Sequence, residues 1–331
     1  MSAITQALTS AKPQLRPLNI MRDLPRVADL VETCFSGTMD AEGQRFVQQM
    51  RRAGQDNSFL RWAANAVESA SMPLSGFIWE EAGQLVGNVS LIPYRYHGQK
   101  LFLIANVAVH PDFRRRGIAR NLTEIALEHT WKHKSDATWL QVRDDNPGAV
   151  KLYSDLGFQE KAKRTQWQAT PDKNLPKQNL DFEIRSRQTG NWSQQREWLT
   201  NLYPEELSWY QATPWMSFRP GFLADISRFF METESHTWTV VNSSGLVAAL
   251  SSISNLGRNE PLWAAIPDEV DTKAFTALLL HVRRYLSGRE SLSLDMPGGL
   301  AVEALQAAGF QARRTLIWMC ADKTKTGFVR I

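Results

Sequence analysis

A chain of 331 residues is long for one core and natural for two domains, and a 43% hydrophobic share with 12 Trp and 15 Phe supplies both. The formal charge of +4 permits a local phosphate site but does not argue for wholesale nucleic-acid binding. Cys34 and Cys320 form neither a metal-ligand spacing nor a disulfide framework, which fits a reducing compartment. The opening MSAITQALTSAKPQ has no basic region followed by an apolar core, and no stretch approaches the ~20 apolar residues of a membrane span. A cytoplasmic protein with no membrane or nucleic-acid partner is the expectation.

Residues 1–14 are polar and expected to be loose. LRPLNI from Leu15 reads as a strand, followed by a helix over roughly Leu24–Phe35, where Leu24, Val27, Leu30, Val31 and Cys34 keep helical spacing. Asp40–Ala70 is expected to be helical in part. Gly76–Glu80 and Leu85–Tyr94 flank the short polar connection Glu81–Gln84 of a hairpin, and Lys100–Val109 is the next strand. Ile118, Leu122, Ile125 and Ala126 mark one face of a helix running to about Lys132. Thr138–Val142 is a short strand. Asn146 is an N-cap with Pro147 at the first helical position, Gly157 is the left-handed stop, and a strand pair follows to about Gln168.

Ala169–Asp181 carries two prolines and no periodicity, which marks an interdomain linker over 169–180. Beyond it the order recurs. FEIRSR is a strand, Trp192–Leu202 a helix, His236–Val241 and Leu246–Ile253 a hairpin, and Leu262–Ile266 a strand. Thr272–Leu286 is a helix, SLSLD a strand, and a helix from about Leu300 closes on Gly309-Phe310 before the strand ARRTLIWMCA. KLYSDLGF at 151–158 parallels EALQAAGF at 303–310, so the halves read as a diverged duplication of 15–168 and 181–331.

Arg114-Arg115-Arg116-Gly117-Ile118-Ala119 opens a helix directly after a strand and loop. Helix N-termini present unpaired N–H groups to anions, and Gly117 lets backbone approach a phosphate without a Cβ in the way. The arginines raise the local potential. VAVHPDFRRRGIARNL resembles the acetyl-CoA-binding motif of the GNAT superfamily of N-acetyltransferases, Gln/Arg-x-x-Gly-x-Gly/Ala, with Arg114, Gly117 and Ala119 at its defined places. NPGAVKLYSDLGF resembles the family's second motif, Asn…Ala…Leu-Tyr…Gly-Phe, which includes Asn146 and Ala149. The resemblance covers 15–168 strongly and 181–331 in outline. It implies an α+β fold of two tandem GNAT-like domains, each with a mixed, largely antiparallel sheet flanked by helices.

By that resemblance the strand before the turn splays from its neighbour, and pantetheine lies in the gap. Val107, Ala108 and Val109 would offer backbone groups to pantetheine and thioester. The amides of Arg115, Arg116, Gly117, Ile118, Ala119 and Arg120 would hold the pyrophosphate, and Asn146 would contact the cofactor near the pantetheine. Tyr153 occupies the general-acid position, although Ala149, Leu152, Tyr153 and Leu156 also fit a core stripe. The base is harder to name. Ribosomal-protein alanine N-acetyltransferases, which the segment around Asn146 resembles, carry glutamate where this chain has Gln141, and Leu103 stands where other members place one. Asp144, Asp145 and His110 are nearby candidates that also read as loop or capping residues, and a water chain could serve instead. An α-amine near ~8 needs less help than a lysine near ~10.4, which favours a small-molecule or peptide amine of low pKa as acceptor.

His129 and His133 stand four apart on the motif helix, a metal-compatible spacing, but without a third ligand they read as a helix C-terminus. No metal is expected. In the second half Leu305 falls opposite Tyr153, and the acidic PDEVDTKAF falls opposite the arginine turn, so that half is expected to have lost the cofactor and to shape an acceptor pocket. Trp209–Trp215 could line such a pocket or pack between the domains. The expected reaction is direct attack of an amine on acetyl-CoA. The alternatives are a CoA-binding scaffold without turnover and an acyltransferase of the mycothiol-synthase type acting on an amino-sugar conjugate. Oligomeric state leaves no trace in the sequence.

Overall fold

The computed structural model describes residues 14–37, 39, 41–56, 58, 74–175, 182–186, 189–210, 218–219, 234–254 and 259–322. They fall into two compact units whose boundary is not sequential. Residues up to Val142, Asn146–Lys161 and Trp318 onward make the first, and Arg143–Asp145 with Ala162–Ile317 make the second.

In the first unit the strand order is β1 (Gln14–Pro17), β2 (Ser75–Glu81), β3 (Gln84–Tyr96), β4 (Gln99–Val109), β5 (Ala137–Arg143), then the end of β12 (Gln311–Asp322). Pairing is antiparallel from β1 to β4 and parallel between β4 and β5. The second unit repeats the plan as β7 (Glu183–Ser186), β8 (Glu234–Asn242), β9 (Gly245–Ser254), β10 (Asn259–Ala265), β11 (Ser291–Pro297), β6 (Gln159–Ala169) and the start of β12. Its parallel pair, β10 with β11, stands at the corresponding place, and the pairs β7–β8, β8–β9, β9–β10 and β6–β11 are antiparallel. The architecture is α+β, with two GNAT-like domains. The sixth strand of the first unit comes from β12, while β6, which follows the first unit's last helix, pairs within the second.

Among the described residues of this unit the helices are α1 (Ile20–Phe35), α2 (Ala41–Ala53), α3 (Ile118–Lys132) and α4 (Pro147–Asp155). Helix α1 starts at Ile20 because Asn19 caps it, its side chain accepting from the Met21 amide. The strand expected through Ile20 therefore ends at Pro17. Leu24, Val27, Leu30 and Val31 bury one face of α1 with Val47, Met50 and Ile78. Inside this unit Arg16 grips the buried Asp23 carboxylate at 2.6 Å and Glu80 at 2.9 Å, tying β1 to α1 and β2. Helix α3 lies on β3 at Gly87, where any Cβ would meet Ile118 at 2.9 Å and Leu122 at 3.0 Å. That close approach brings the start of α3 beside the end of β4.

Helices α5 (Trp192–Leu202), α6 (Thr272–Tyr285) and α7 (Val302–Ala307) belong to the second unit, whose core gathers Trp238, Leu250, Phe275, Leu278, Leu292 and Phe310. The expected strand pair before Gln168 is one continuous strand, β6. The loose N-terminus to residue 13, most of 54–70, linker positions 176–180 and the stretch 211–215 lie outside the described residues; Trp209 is buried.

Candidate active site

The site is built around a defect in β4. Its pairing with β3 runs from Tyr96↔Gln99 to Ser90↔Ala105, shifts, and resumes at Asn88↔Ala108, so Asn106 and Val107 together oppose Val89. This is a β-bulge, and Asn106 enters the left-handed region (φ 50°), which asparagine tolerates better than branched residues. Fully buried Asn88 clamps the bulge from β3, donating from Nδ2 to the Asn106 carbonyl (3.0 Å) and to Ser90 Oγ (3.1 Å). Asn88 Oδ1 and Asn106 Nδ2 are buried without partners among the described residues. Parallel pairing of β4 with β5 stops just before the bulge, at Ile104↔Leu140. Beyond that point Ala105–Val109 and Gln141–Arg143 diverge as a fork, with the backbone of Val107, Ala108 and Val109 on one prong.

From the fork the chain turns through Pro111–Phe113, a short 3-10 helix, into Arg114–Gly117. The His110 amide donates to the Val86 carbonyl at 2.8 Å, which fixes the exit. Arg115 (φ 65°) and Gly117 (φ 78°) are both left-handed, and nothing lies within 4 Å of where a Gly117 Cβ would be. Gly117 is the N-cap of α3 and offers no side chain to its first turn. The first intrahelical bond runs from the Asn121 amide to the Gly117 carbonyl. The amides of Ile118, Ala119 and Arg120 therefore point outward at the positive end of a 15-residue helix.

The arginine side chains mostly shape the turn. Arg114 Nε donates to the Val109 carbonyl at 3.1 Å, Arg116 reaches Glu81 at 3.4 Å and lies over Phe113, and Arg120 pairs with Asp155 at 3.2 Å. The last contact ties the first turn of α3 to the last turn of α4. Arg115 is exposed. The cradle is thus main-chain N–H groups held open by side chains, and it fits an anionic diphosphate.

Helix α4 begins as its sequence dictates: Asn146 Oδ1 accepts from the Ala149 amide at 3.1 Å, with Pro147 in the first turn. Tyr153 is buried, its ring edge-on to Phe158 at 6.0 Å, and burial pushes its phenol up to about 12. The base candidates are weak. Asp145 is exposed and held below its usual range by Arg143, Asp144 pairs with Lys163 at 3.0 Å, and His110 accepts from the Asp112 amide. Gln141 sits half-buried on the free part of β5, and Leu103 is buried.

The second unit has the same fork, filled by its own side chains. Parallel pairing of β10 with β11 stops at Leu262↔Leu294, leaving Trp263–Ala265 and Asp295–Pro297 to diverge. The Ala264 amide donates to the Tyr203 hydroxyl at 3.0 Å, and Arg164 donates to the Asp295 carbonyl at 3.0 Å and to its carboxylate at 3.3 Å. The Arg164 guanidinium also stacks over the Tyr203 ring at 5.1 Å. Where α3 has a bare glycine cap, α6 has Asp271, whose carboxylate accepts from the Ala274 amide at 2.9 Å. Sequence reasoning missed Asn88, Asn106, Arg164 and Tyr203; an Asn inside an apolar strand is the one hint it offered.

Residues 36–158 match the acetyltransferase (GNAT) family. Over that stretch the chain is similar to a GNAT domain. Its sequence is 39% identical to the [ribosomal protein bS18]-alanine N-acetyltransferase of Escherichia coli over 67 residues, 20% of this chain and 45% of that protein. The chain thus spans about half the length of the curated relatives it matches. The GCN5-related N-acetyltransferase of Sphaerobacter thermophilus superposes with TM-score 0.53 at 14% identity, over 94% of this chain and 95% of that one. A glucosamine N-acetyltransferase region of a fungal multi-domain β-N-acetylglucosaminidase gives TM-score 0.55 at 12% identity, over 95% of this chain and 39% of that one. At such identities the likeness is one of fold, and it extends the GNAT architecture over both units. Among the described residues no helix is long and apolar enough to cross a membrane, and no three His, Cys, Asp or Glu side chains gather as a metal site.

Proposed function

We propose that the protein is an N-acetyltransferase that moves an acetyl group from acetyl-CoA to a primary amine, using the first unit alone. The observation that carries this is the contrast between the forks: one opens beside an uncapped, glycine-led helix, while the other is filled by Tyr203 and Arg164 beside a helix capped by Asp271. In this reading the amides of Arg115–Arg120 hold the pyrophosphate, and the backbone of Val107–Val109 aligns pantetheine and polarises the thioester carbonyl. Asn146 keeps its Nδ2 for the cofactor while its Oδ1 caps α4.

The neutral amine attacks the thioester carbon, the C–S bond breaks, Tyr153 gives its proton to the departing sulfur, and the nitrogen gives up its extra proton to water, through which the tyrosinate is reprotonated. A phenol raised to about 12 stays protonated at neutral pH, as a general acid must. The burial that disfavours tyrosinate also disfavours a bare thiolate beside it, so transfer runs between two poor anions. With Gln141 and ion-paired Asp144 and Asp145 near the fork, no free carboxylate base stands there among the described residues, which favours an amine of low pKa as the acceptor. The Escherichia coli relative is named for an alanine of a ribosomal protein, and a peptide α-amine or a small-molecule amine is the acceptor class proposed here. A CoA-binding protein without turnover is the second reading, and the glutamine at position 141 favours it.

A thermal shift with acetyl-CoA tests the cradle, since ligand at about 100 times Kd adds ~2.7 kcal/mol. Thiol release across peptides, small amines and amino sugars tests turnover. No shift rejects both readings; a shift without release for any acceptor leaves the non-catalytic one.

A further inference from the structure

We propose that the first unit holds a second small-molecule site, at the far end of its sheet from the fork, that takes a small monocarboxylate with a compact apolar body. A cavity of about 160 Å³ opens there between the last turns of α3 and the β3–β4 hairpin. Arg95, Lys100, His129 and His133 line it together with Phe102 and Tyr94, and among the described residues no carboxylate does. Its wall at His129–His133 lies some three turns along α3 from the amide cradle, roughly 16–20 Å at 1.5 Å per residue. It is therefore separate from the proposed acetyl-CoA site and does not depend on that assignment.

The pocket is built rather than incidental. The imidazoles of His129 and His133, one helical turn apart, stack with centroids 4.0 Å apart. His133 Nδ1 donates to the His129 carbonyl at 2.8 Å, which orients its ring and leaves Nε2 for a ligand. His129 is wedged edge-on against Phe77 at 5.5 Å. Lys100 Nζ stands 5.5 Å from the Phe102 ring centroid, its ammonium over an aromatic floor. The carboxylates nearby are engaged elsewhere: Asp136 accepts from the Lys100 amide at 2.7 Å, and Glu128 pairs with Lys132 at 3.7 Å.

The charged groups lining the pocket are cationic, Arg95 and Lys100. Burial first, then His133, Lys100 and Lys132, hold the His129 imidazole down to about 4. A bound carboxylate offsets those neighbours, so His129 should titrate higher when the pocket is filled. The size argues for a body near that of benzene, which a cavity of ~150 Å³ admits. Apolar walls with cationic heads then select an acid over its neutral isostere.

The probe is benzoate, with benzamide as the uncharged control, titrated into the full chain by calorimetry and by histidine ring NMR. Saturable millimolar binding of benzoate, at least tenfold weaker binding of benzamide, and an upward move of the His129 titration are expected. Lys100→Met, which keeps the stem, and Arg95→Gln should each weaken benzoate at least fivefold while leaving the acetyl-CoA thermal shift unchanged. Equal affinity for benzamide, no saturation, or displacement of benzoate by acetyl-CoA would each overturn the assignment.

Discussion

Replacing Asn88 by alanine removes the clamp on the β4 bulge, and the structure sets the scale of the effect. Two hydrogen bonds are lost, and the half-buried Asn106 carbonyl is left without its 3.0 Å partner. An orphaned buried polar group costs ~1–3 kcal/mol, and removing the amide leaves a small cavity in addition. The left-handed conformation at Asn106 still carries some cost, smaller for asparagine than for branched residues, so the unclamped bulge is free to relax towards regular pairing. Such relaxation redirects the amides of Val107–Val109, and a displacement of about 1 Å at a reacting centre can cost ~100-fold in rate. Asn88→Ala should therefore lose about 2–3 kcal/mol in urea unfolding and at least tenfold in kcat. Ser90→Ala is the control: it takes the other acceptor from Asn88 but leaves the bulge carbonyl bonded, so it should lose about 1 kcal/mol and keep its kcat. Equal stability losses with wild-type turnover in both variants would refute the clamp.

Tyr153→Phe keeps the ring packing and should lower kcat by ~100-fold with acetyl-CoA affinity nearly intact; unchanged turnover at saturating acetyl-CoA would sink the acid role. Gly117→Ala places a Cβ on a φ of 78°, at about 1 kcal/mol of strain, and should weaken acetyl-CoA about tenfold in a thermal-shift titration. An unaltered affinity would mean the helix amides do not hold the ligand. Acetyl-CoA should bind with one equivalent per chain, and Tyr203→Phe should not change that count; two equivalents in calorimetry would contradict the filled second fork. Asp23 gives a pH signature. Against the cost of burial, Arg16, the Asn19 amide and Arg22 together bring its carboxyl down to about 2. Because the folded value is depressed, the contribution, roughly 2 kcal/mol at ~1.4 per pKa unit, is complete above pH ~4 and disappears as pH falls through 2. Urea unfolding between pH 5 and 2 should show this slope in the wild type and lack it in Asp23→Asn.

Local chemistry made much of the fold legible. Asn146-Pro147 opens α4 and Gly157 closes it because caps act through neighbouring atoms. The apolar face of α3 and the glycine before it were readable for the same reason. What depends on partners was not. Pro17-Leu18-Asn19-Ile20 reads as continuing strand, yet Asn19 bonds the Met21 amide and starts a helix there. The bulge at Asn106 is created by a residue 18 positions earlier, so an alternating strand pattern conceals it. Arg164 and Tyr203 lie on β6 and just after α5, and only folding brings the guanidinium over the ring. Periodicity recognises β12 as a strand without saying which unit each of its ends serves.

That division of β12 bears on how the protein is made. Trp318–Asp322 supplies the sixth strand of the unit that holds the arginine turn, and Trp318 sets its indole edge-on against Trp139 of β5 at 6.3 Å. A ribosome that has translated the whole GNAT motif still has more than 150 codons to go before this strand is available. Until then the growing chain carries β5 as an open edge, a hazard for mispairing with other nascent chains. Ligand-binding competence should consequently appear late, only once Asp322 has been translated, and a fragment ending at residue 168 should be recovered as aggregate or as a strand-exchanged oligomer.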